Sequence, residues 1–347
     1  MIRPSRARGA RSPHRPPSTT AGGALAVAAA IVVVVASALA PDARAQPSAW
    51  PRQAVRVIVP YSPGTGADIL ARTLGTRLAE RWGQPVLVEN RVGASGNIGT
   101  ASVARAAPDG YTLLMNVNSH VINRSVFKDT GYDPIRDFAP VSMTAWGRLM
   151  LVANAGTGLR TANDLVKEAR ANAGRFNYAS PGIGTPHHVA MEFFKQQTGI
   201  DILHVPHKGT AGAVTDLVGG QVQVMFLPIH VAMAQVRAGR LNALGIGSPK
   251  RDPSAAEVPT LAEQGLKNID TDMWYGVLVP AATPRDIVVA LNRAVVDIMA
   301  LPDVRAGLAK QGLDATTSTP EAFGKLIEAD LARWQRVVEQ AKISASD

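Results

Sequence analysis

The pentapeptide Ser-Pro-Gly-x-Gly occurs twice in the chain. It stands at Ser62-Pro63-Gly64-Thr65-Gly66 and, about 120 residues further on, at Ser180-Pro181-Gly182-Ile183-Gly184. Each copy follows an apolar, strand-like run and opens a helical stretch, at Ala67-Asp68 in one case and Thr185-Pro186 in the other. Glycines let a backbone approach a ligand closely, and a helix start offers unpaired N–H groups at the positive end of its dipole. Pro186 suits the first helical position, where its missing N–H costs nothing, and Thr185 suits the cap. One such turn carries little information. Two matching turns in separate α/β halves predict two helix N-termini that face each other across a cleft and clamp a small anion.

The surrounding pattern is one of alternating strands and helices. A β-branched run at 55–59 leads through Pro60 into the first Gly-rich loop, and Ile69, Leu70, Leu74 and Leu78 then recur at helical spacing. A second strand is expected at 86–88, a helix from the Ser95 cap to about 106, and a third strand at 111–115. This β-α-β-α-β order implies a parallel sheet with helices on its faces. After Trp146 the pattern restarts with strand 149–152, helix 161–172, strand 176–179 and helix 185–198. Short strands at 202–204, 223–226 and 243–247, a strand at 273–279 and three closing helices near 284–299, 302–311 and 320–341 complete the chain. At 347 residues two domains are expected.

The net charge of +9 would suit a nucleic-acid or membrane partner, so its location matters. Arg3, Arg6, Arg8, Arg11 and Arg15 precede an uncharged Ala/Val-rich run at 21–40, which ends at Ala43-Arg44-Ala45. A basic n-region, an apolar h-region and a small-x-small site describe a secretory signal peptide at 1–45. A membrane anchor is the alternative, since the run could just span a bilayer. There is no twin-Arg pair and no lipobox cysteine, so export as a soluble periplasmic protein is the expectation. Removing this leader takes six arginines and one aspartate and lowers the charge from +9 to +4. No basic stripe remains, and nucleic-acid binding loses its support. The absence of cysteine excludes disulfides, thiolate metal sites and Cys nucleophiles.

The loop residues belong to a longer recognisable series: Pro60-Tyr61-Ser62-Pro63-Gly64-Thr65-Gly66-Ala67-Asp68, Gly83-Gln84-Pro85-Val86, Ala107-Pro108-Asp109-Gly110-Tyr111, Asn177-Tyr178-Ala179-Ser180 and His204-Val205-Pro206-His207-Lys208-Gly209. From about residue 52 to the C-terminus the chain resembles the Bug/TctC family, the periplasmic solute-binding proteins of tripartite tricarboxylate transporters. The resemblance implies an α/β, two-lobed clamshell of the periplasmic-binding-protein type (type II), with a mixed, mainly parallel sheet in each lobe. One lobe would take 46–146 plus 272–347 and the other 147–271, with a ligand cleft between them. In that family the two loops hold one carboxylate of the solute, partly through backbone N–H groups and water.

Carried onto this chain, Tyr61, Ser62, Gly64, Thr65, Gly66 and Asp68 form the first loop of the expected site. Ser180, Gly182, Ile183, Gly184 and Thr185 form the second. Asn118, Ser119 and His120 after the third strand, His188 in the second loop's helix, and His207, Pro228 and His230 near strand ends are expected to face the cleft. Three departures from the family bear on selectivity. Thr65 replaces a usual glycine and adds a hydroxyl that could donate to the ligand, His207 replaces a usual tyrosine, and Leu227-Pro228 lacks the common acid or amide. The last argues against an amino-acid ligand. Arg148, beside Trp146, is a further candidate for a distal carboxylate, and His204 reads as structural. His187 and His188 with Glu192 have i, i+4 spacing but match no established zinc motif, so no metal is expected.

No G-x-S-x-G, H-E-x-x-H or G-x-x-x-x-G-K-[ST] motif is present, and Gly93, Gly96 and Gly99 lack dinucleotide spacing. The reading is therefore a non-enzymatic, cofactor-free, monomeric receptor for a small carboxylate. Its partner, from the resemblance, would be a tripartite tricarboxylate transporter permease. The alternatives are a receptor reporting to a membrane sensor kinase and a secreted hydrolase using a His/Asp pair.

Overall fold

The computed structural model describes residues 50–345, together with His14. The expected signal peptide, His14 apart, lies outside the described residues. No helix among the described residues is long and apolar enough to cross a membrane.

Two mixed sheets organise the chain. The first runs β11-β4-β10-β3-β1-β2 and the second β7-β6-β8-β5-β9. Strands β1 (Val55–Val59), β2 (Val86–Asn90), β3 (Thr112–Val117), β4 (Phe138–Gly147), β10 (Met273–Pro280) and β11 (Leu313–Ala315) build the first. The second consists of β5 (Leu149–Asn154), β6 (Asn177–Ser180), β7 (Leu203–Pro206), β8 (Val224–Pro228) and β9 (Leu241–Ile246). Both ends of the described chain thus feed one sheet, and its middle feeds the other. Every residue of β3 is buried, as a central strand covered on both faces requires.

The sheets are less parallel than expected. The β-α-β units pair β1 with β2 and β3, and β6 with β7 and β8, in parallel. The strands β4, β10 and β5, which carry the chain between sheets, all pair antiparallel with their neighbours. A strand that enters a sheet from the crossing side runs against the strands already there. The polar residues and Pro140 of β4 hid that strand from the sequence pattern. Pro140 has no N–H to give a ladder, and a register shift between Val277 and Leu278 on β10 accommodates it.

The two crossings touch. Thr271 donates from its N–H and from its hydroxyl to the Gly247 carbonyl, at 2.7 and 3.0 Å. The Gly247 N–H in turn reaches the Leu149 carbonyl at 3.0 Å. A Cβ on Gly247 would lie 2.1 Å from the Thr271 hydroxyl, so only glycine allows this approach. Arg148 sits beside it, bonded to Asp252 at 2.8 Å, to Ser248 at 3.3 Å and to Asp314 at 3.5 Å. It is committed to this crossing, which removes it from the expected distal-carboxylate role.

Helices α1 (Gly66–Trp82), α2 (Asn97–Ala104), α3 (Ser119–Val126), α4 (Ala162–Ala171), α5 (Pro186–Thr198), α6 (Thr210–Val218) and α7 (Ile229–Arg237) follow strands of the two sheets. Helices α8 (Arg285–Met299), α9 (Pro302–Ala309) and α10 (Pro320–Gln340) close the chain.

Candidate ligand-binding site

The first loop leaves β1 and enters α1. Thr65 caps the helix with extended φ/ψ of −76°/161°, and its hydroxyl donates back to the Ser62 carbonyl at 2.9 Å. Gly64, at φ +80°, donates its N–H to Asp68 at 2.9 Å. Burial alone would raise the Asp68 carboxyl, but hydrogen bonds from Arg72, the Gly64 N–H and Asn90 outweigh it and hold the group below the ordinary carboxylate range. Asn90 also donates to the Tyr61 carbonyl at 2.9 Å. Asp68 is thus the internal brace of the loop.

The second loop repeats this construction with a different residue. Thr185 caps α5 at −70°/154°, and its hydroxyl donates to the Gly182 carbonyl at 2.7 Å. Gly184, at φ +77°, donates its N–H to His188 Nδ1 at 3.1 Å. In both loops the cap carbonyl accepts from the residue four ahead, Ile69 at 2.9 Å and Val189 at 3.1 Å. The structural equivalence therefore joins Gly64, Thr65 and Asp68 to Gly184, Thr185 and His188. It lies two residues away from the match between the pentapeptides, which set Gly64 against Gly182. No side chain caps the first turn of either helix, so the amides of Gly66 and Ala67, and of His187, face outward from two positive dipole ends.

This geometry corrects the expectation for Thr65. A hydroxyl has one proton, and that of Thr65 is spent on the Ser62 carbonyl. Its role is to shape the loop rather than to donate to a ligand.

The loops of the two sheets meet. Ser95 Oγ, ahead of α2, donates to the Ile183 carbonyl at 2.5 Å. Asn123 of α3 donates to the Ser95 carbonyl at 3.0 Å, and its Oδ1 would lie 2.8 Å from a Cβ on Gly184. Ser62 Oγ would lie 3.3 Å from a Cβ on Gly209, which follows β7. Ala94 and Ser95 hold positive φ of 44° and 53°, a conformation costing roughly 1 kcal/mol or more per non-glycine residue. That strain aims Ser95 at the second loop. Sequence reading treated Ser95 as a helix cap and passed over Asn123; neither has a local signal, because both act across the fold.

The expected cleft residues do not share one environment. Tyr61 donates to Asn116 Oδ1 at 2.6 Å beneath the first loop, and burial raises its hydroxyl's pKa. Buried Asn118 and Ser119 stand beside it at the start of α3, where Asn118 Oδ1 and Ser119 Oγ have no protein partner. Ser180 and Ile183 line the second loop, with Ser180 Oγ 3.0 Å from the Gly182 carbonyl and 2.6 Å from His204 Nε2. Gly66 packs so tightly on Tyr275 that a Cβ would lie 2.5 Å from its hydroxyl. Pro228 ends β8, and His230 follows in the first turn of α7.

Three histidines expected to face the cleft do not. His120 is fully buried among Tyr132, Phe138 and Trp274, with Nε2 2.9 Å from the Pro134 carbonyl and Nδ1 3.2 Å from Asn116. The residues after β3 form a helix rather than a loop, and that helix turns His120 into the core. His188 braces its own loop and stacks on His204 with ring centroids 3.9 Å apart, and His204 stacks on Tyr178 at 4.7 Å. His207 places Nδ1 3.1 Å from the Val205 carbonyl and Nε2 2.8 Å from Asp216, so both nitrogens serve their own side. Burial pulls His120 and His204 down to about 4 and His188 to about 3, with Lys195 adding to the effect on the stacked pair.

His187, set aside in the sequence reading, is the residue that gains most. Both its ring nitrogens are buried without a partner, and so is Nε2 of His230. The ring of His230 lies against the backbone of Gly64 and Gln311, and the field of His230 adds to burial in lowering His187. The His187/His188/Glu192 spacing does not converge: Glu192 accepts from the Tyr178 hydroxyl and from Lys195, and His188 is taken by Gly184. Among the described residues no three His, Asp or Glu side chains gather as a metal site would require.

Comparison with known proteins places this arrangement in context. A family model described as "Tripartite tricarboxylate transporter family receptor" matches residues 70–343. The UPF0065 protein in the tcbD-tcbE intergenic region of Pseudomonas sp. strain P51 is 36% identical over 299 residues, covering 86% of this chain and 89% of its own. An R. palustris protein solved with adipate superposes at TM-score 0.82 with 32% identity, covering 85% of this chain and all of its own. MatC from Rhodopseudomonas palustris with bound malate superposes at TM-score 0.78 with 31% identity, over 83% of this chain and all of its own.

Proposed function

The chain belongs to the tripartite tricarboxylate transporter receptor family, and from that premise we propose that it is a solute-binding receptor holding a small carboxylate between its two loops. The observation that carries this reading is the matched pair of uncapped helix starts. Thr65 and Thr185 open helices from different sheets, and Ser95, held by Asn123, ties the second loop to the side of the fold that carries the first. Two dipole ends plus outward amides suit one carboxylate group, and no lysine or arginine is needed for it.

In this reading residues 46–146 with 272–347 form one lobe and 147–271 the other. Closure about the crossing at Gly247, Leu149 and Thr271 brings the loops together on the ligand. The relatives solved with adipate and malate make dicarboxylates the first class to test. The basic and apolar leader supports export to the periplasm, where members of this family work as binding proteins. A transporter permease of the tripartite type would receive the solute, and the receptor itself performs no chemistry.

A thermal-shift and calorimetric screen of mono-, di- and tricarboxylates on the mature protein tests the reading. A true ligand at a hundred times its Kd should add about 2.7 kcal/mol of stability. If no carboxylate shifts the melt, or if an ester is hydrolysed in a parallel assay, the receptor reading fails. Uptake measured with and without the co-expressed permease tests the transport partner.

A further inference from the structure

Buried polar atoms in folded proteins almost always find a partner, and each exception needs a cause. His120, His188, His204 and His207 each have a ring nitrogen bonded within the protein. His187 has neither nitrogen bonded, and His230 leaves Nε2 free. Both residues stand in the first turn of a helix beside the loops. His187 is the second residue of α5, directly after Pro186, so its ring rises from the helix start of the second loop. His230 is the second residue of α7, and its ring rests against the first loop at Gly64 and against Gln311 beyond α9.

We propose that His187 and His230 form a second subsite that takes the distal carboxylate of a dicarboxylate together with one proton. The proposal rests on the receptor reading above and extends it to the far end of the ligand. Its basis is the supply of charge around the pair. The titratable group bearing on His187 is His230, and the groups bearing on His230 are backbone. The nearby acids are engaged elsewhere: Asp68 with Arg72, Asp216 with His207, and Glu192 with Lys195. Arg148 is held at the crossing by Asp252. An incoming distal carboxylate therefore meets two imidazoles.

Without ligand the rings stay neutral, since burial and the field of His230 draw His187 down to about 4 and burial lowers His230 as well. An apposed carboxylate reverses that balance and favours the imidazolium form. The proton comes from solvent and goes to a ring nitrogen; the carboxylate then accepts a charge-assisted hydrogen bond from it. Mutual repulsion between the rings limits the uptake to one proton.

Calorimetry of the mature protein in buffers of different ionisation enthalpy tests this. Succinate, adipate and hexanoate serve as probes at pH 6.5 and 7.5. The expected result is uptake of close to one proton for the better dicarboxylate and none for hexanoate. The dicarboxylate affinity should rise by up to ~10-fold per pH unit on acidification. His187→Gln and His230→Gln should each reduce the uptake and lower the ratio of dicarboxylate to hexanoate affinity, with circular dichroism and melting checked for each. Dicarboxylate binding without proton uptake, or uptake that survives in both folded variants, overturns the subsite and leaves the receptor reading intact. Failure of all three probes together with the wider carboxylate screen removes both.

Discussion

Asp68 and His188 hold equivalent places in two loops of different sequence. Each accepts the N–H of the glycine four residues before it, Gly64 at 2.9 Å and Gly184 at 3.1 Å. A carboxylate and a neutral imidazole thus perform one task, fixing a left-handed glycine ahead of an uncapped helix.

Removing either brace should loosen its loop and weaken ligand binding without touching the ligand. Asp68→Ala leaves the Gly64 N–H unpaired and takes from Arg72 its carboxylate partner, and His188→Ala leaves the Gly184 N–H unpaired. Each is expected to cost about 1–3 kcal/mol of binding free energy, as calorimetry on the best carboxylate of the screen would measure. Affinity unchanged in both variants would show that the loops hold their shape unaided.

Gly184 is under two constraints, a φ of +77° and the Asn123 Oδ1 that a Cβ would approach to 2.8 Å. Gly184→Ala should lower stability by about 1–3 kcal/mol in chemical denaturation. Adding Asn123→Ala relieves the contact but not the backbone, so the double variant should recover only part of the loss. Full recovery would assign the whole cost to the contact between the loops.

Stability should fall steeply on acidification. His120 and His204 at about 4 and His188 at about 3 lie below the free imidazole value, so the unfolded chain binds protons first. The neutral rings contribute their full stability above about pH 6.5, and it is lost as pH falls towards 4, up to about 3 kcal/mol per ring. Denaturation at pH 7.5, 6, 5 and 4.5 measures the slope. His204→Gln should make it shallower, and an unchanged slope would show that His204 is charged in the fold.

Asp272 acts in the opposite direction. Burial, with Asp270 beside it, pushes its carboxyl up to about 7, although Arg148 and the Ser248 hydroxyl pull down. A raised acid makes the folded state the better proton binder between about pH 4 and 7, so its contribution declines as pH rises through that range. Asp272→Asn should raise the melting temperature at pH 8, by the equivalent of about 1–3 kcal/mol, and raise it less at pH 5. A variant less stable at pH 8 would show that the charge on Asp272 is needed to hold Arg148.

Much of this molecule could be read along the chain. The run at 55–59, the spacing of Ile69, Leu70, Leu74 and Leu78, and the paired glycine turns identify strands, helices and the two helix starts, because these are local consequences of side-chain size and backbone freedom. Strand β4 escaped because Pro140 and its polar residues break the apolar pattern that central strands usually show, and α3 escaped because Asn118-Ser119-His120 looks like a turn. The residue-by-residue match of the pentapeptides also misled by two positions, since hydrogen bonds rather than letters define the equivalent sites.

The sequence by itself determined the α/β class, the two glycine loops and the family. Only the tertiary structure decided which polar side chains are spent on partners within the protein. His120, His188 and His207 are turned inward or held by partners, whereas His187 and His230 are left with free nitrogens. Whether a histidine is spent or available depends on partners that lie far apart in the chain, such as Pro134 for one and the Gly64 loop for another. A spacing rule sees only neighbours in sequence, and hydrogen bonds are made between neighbours in space.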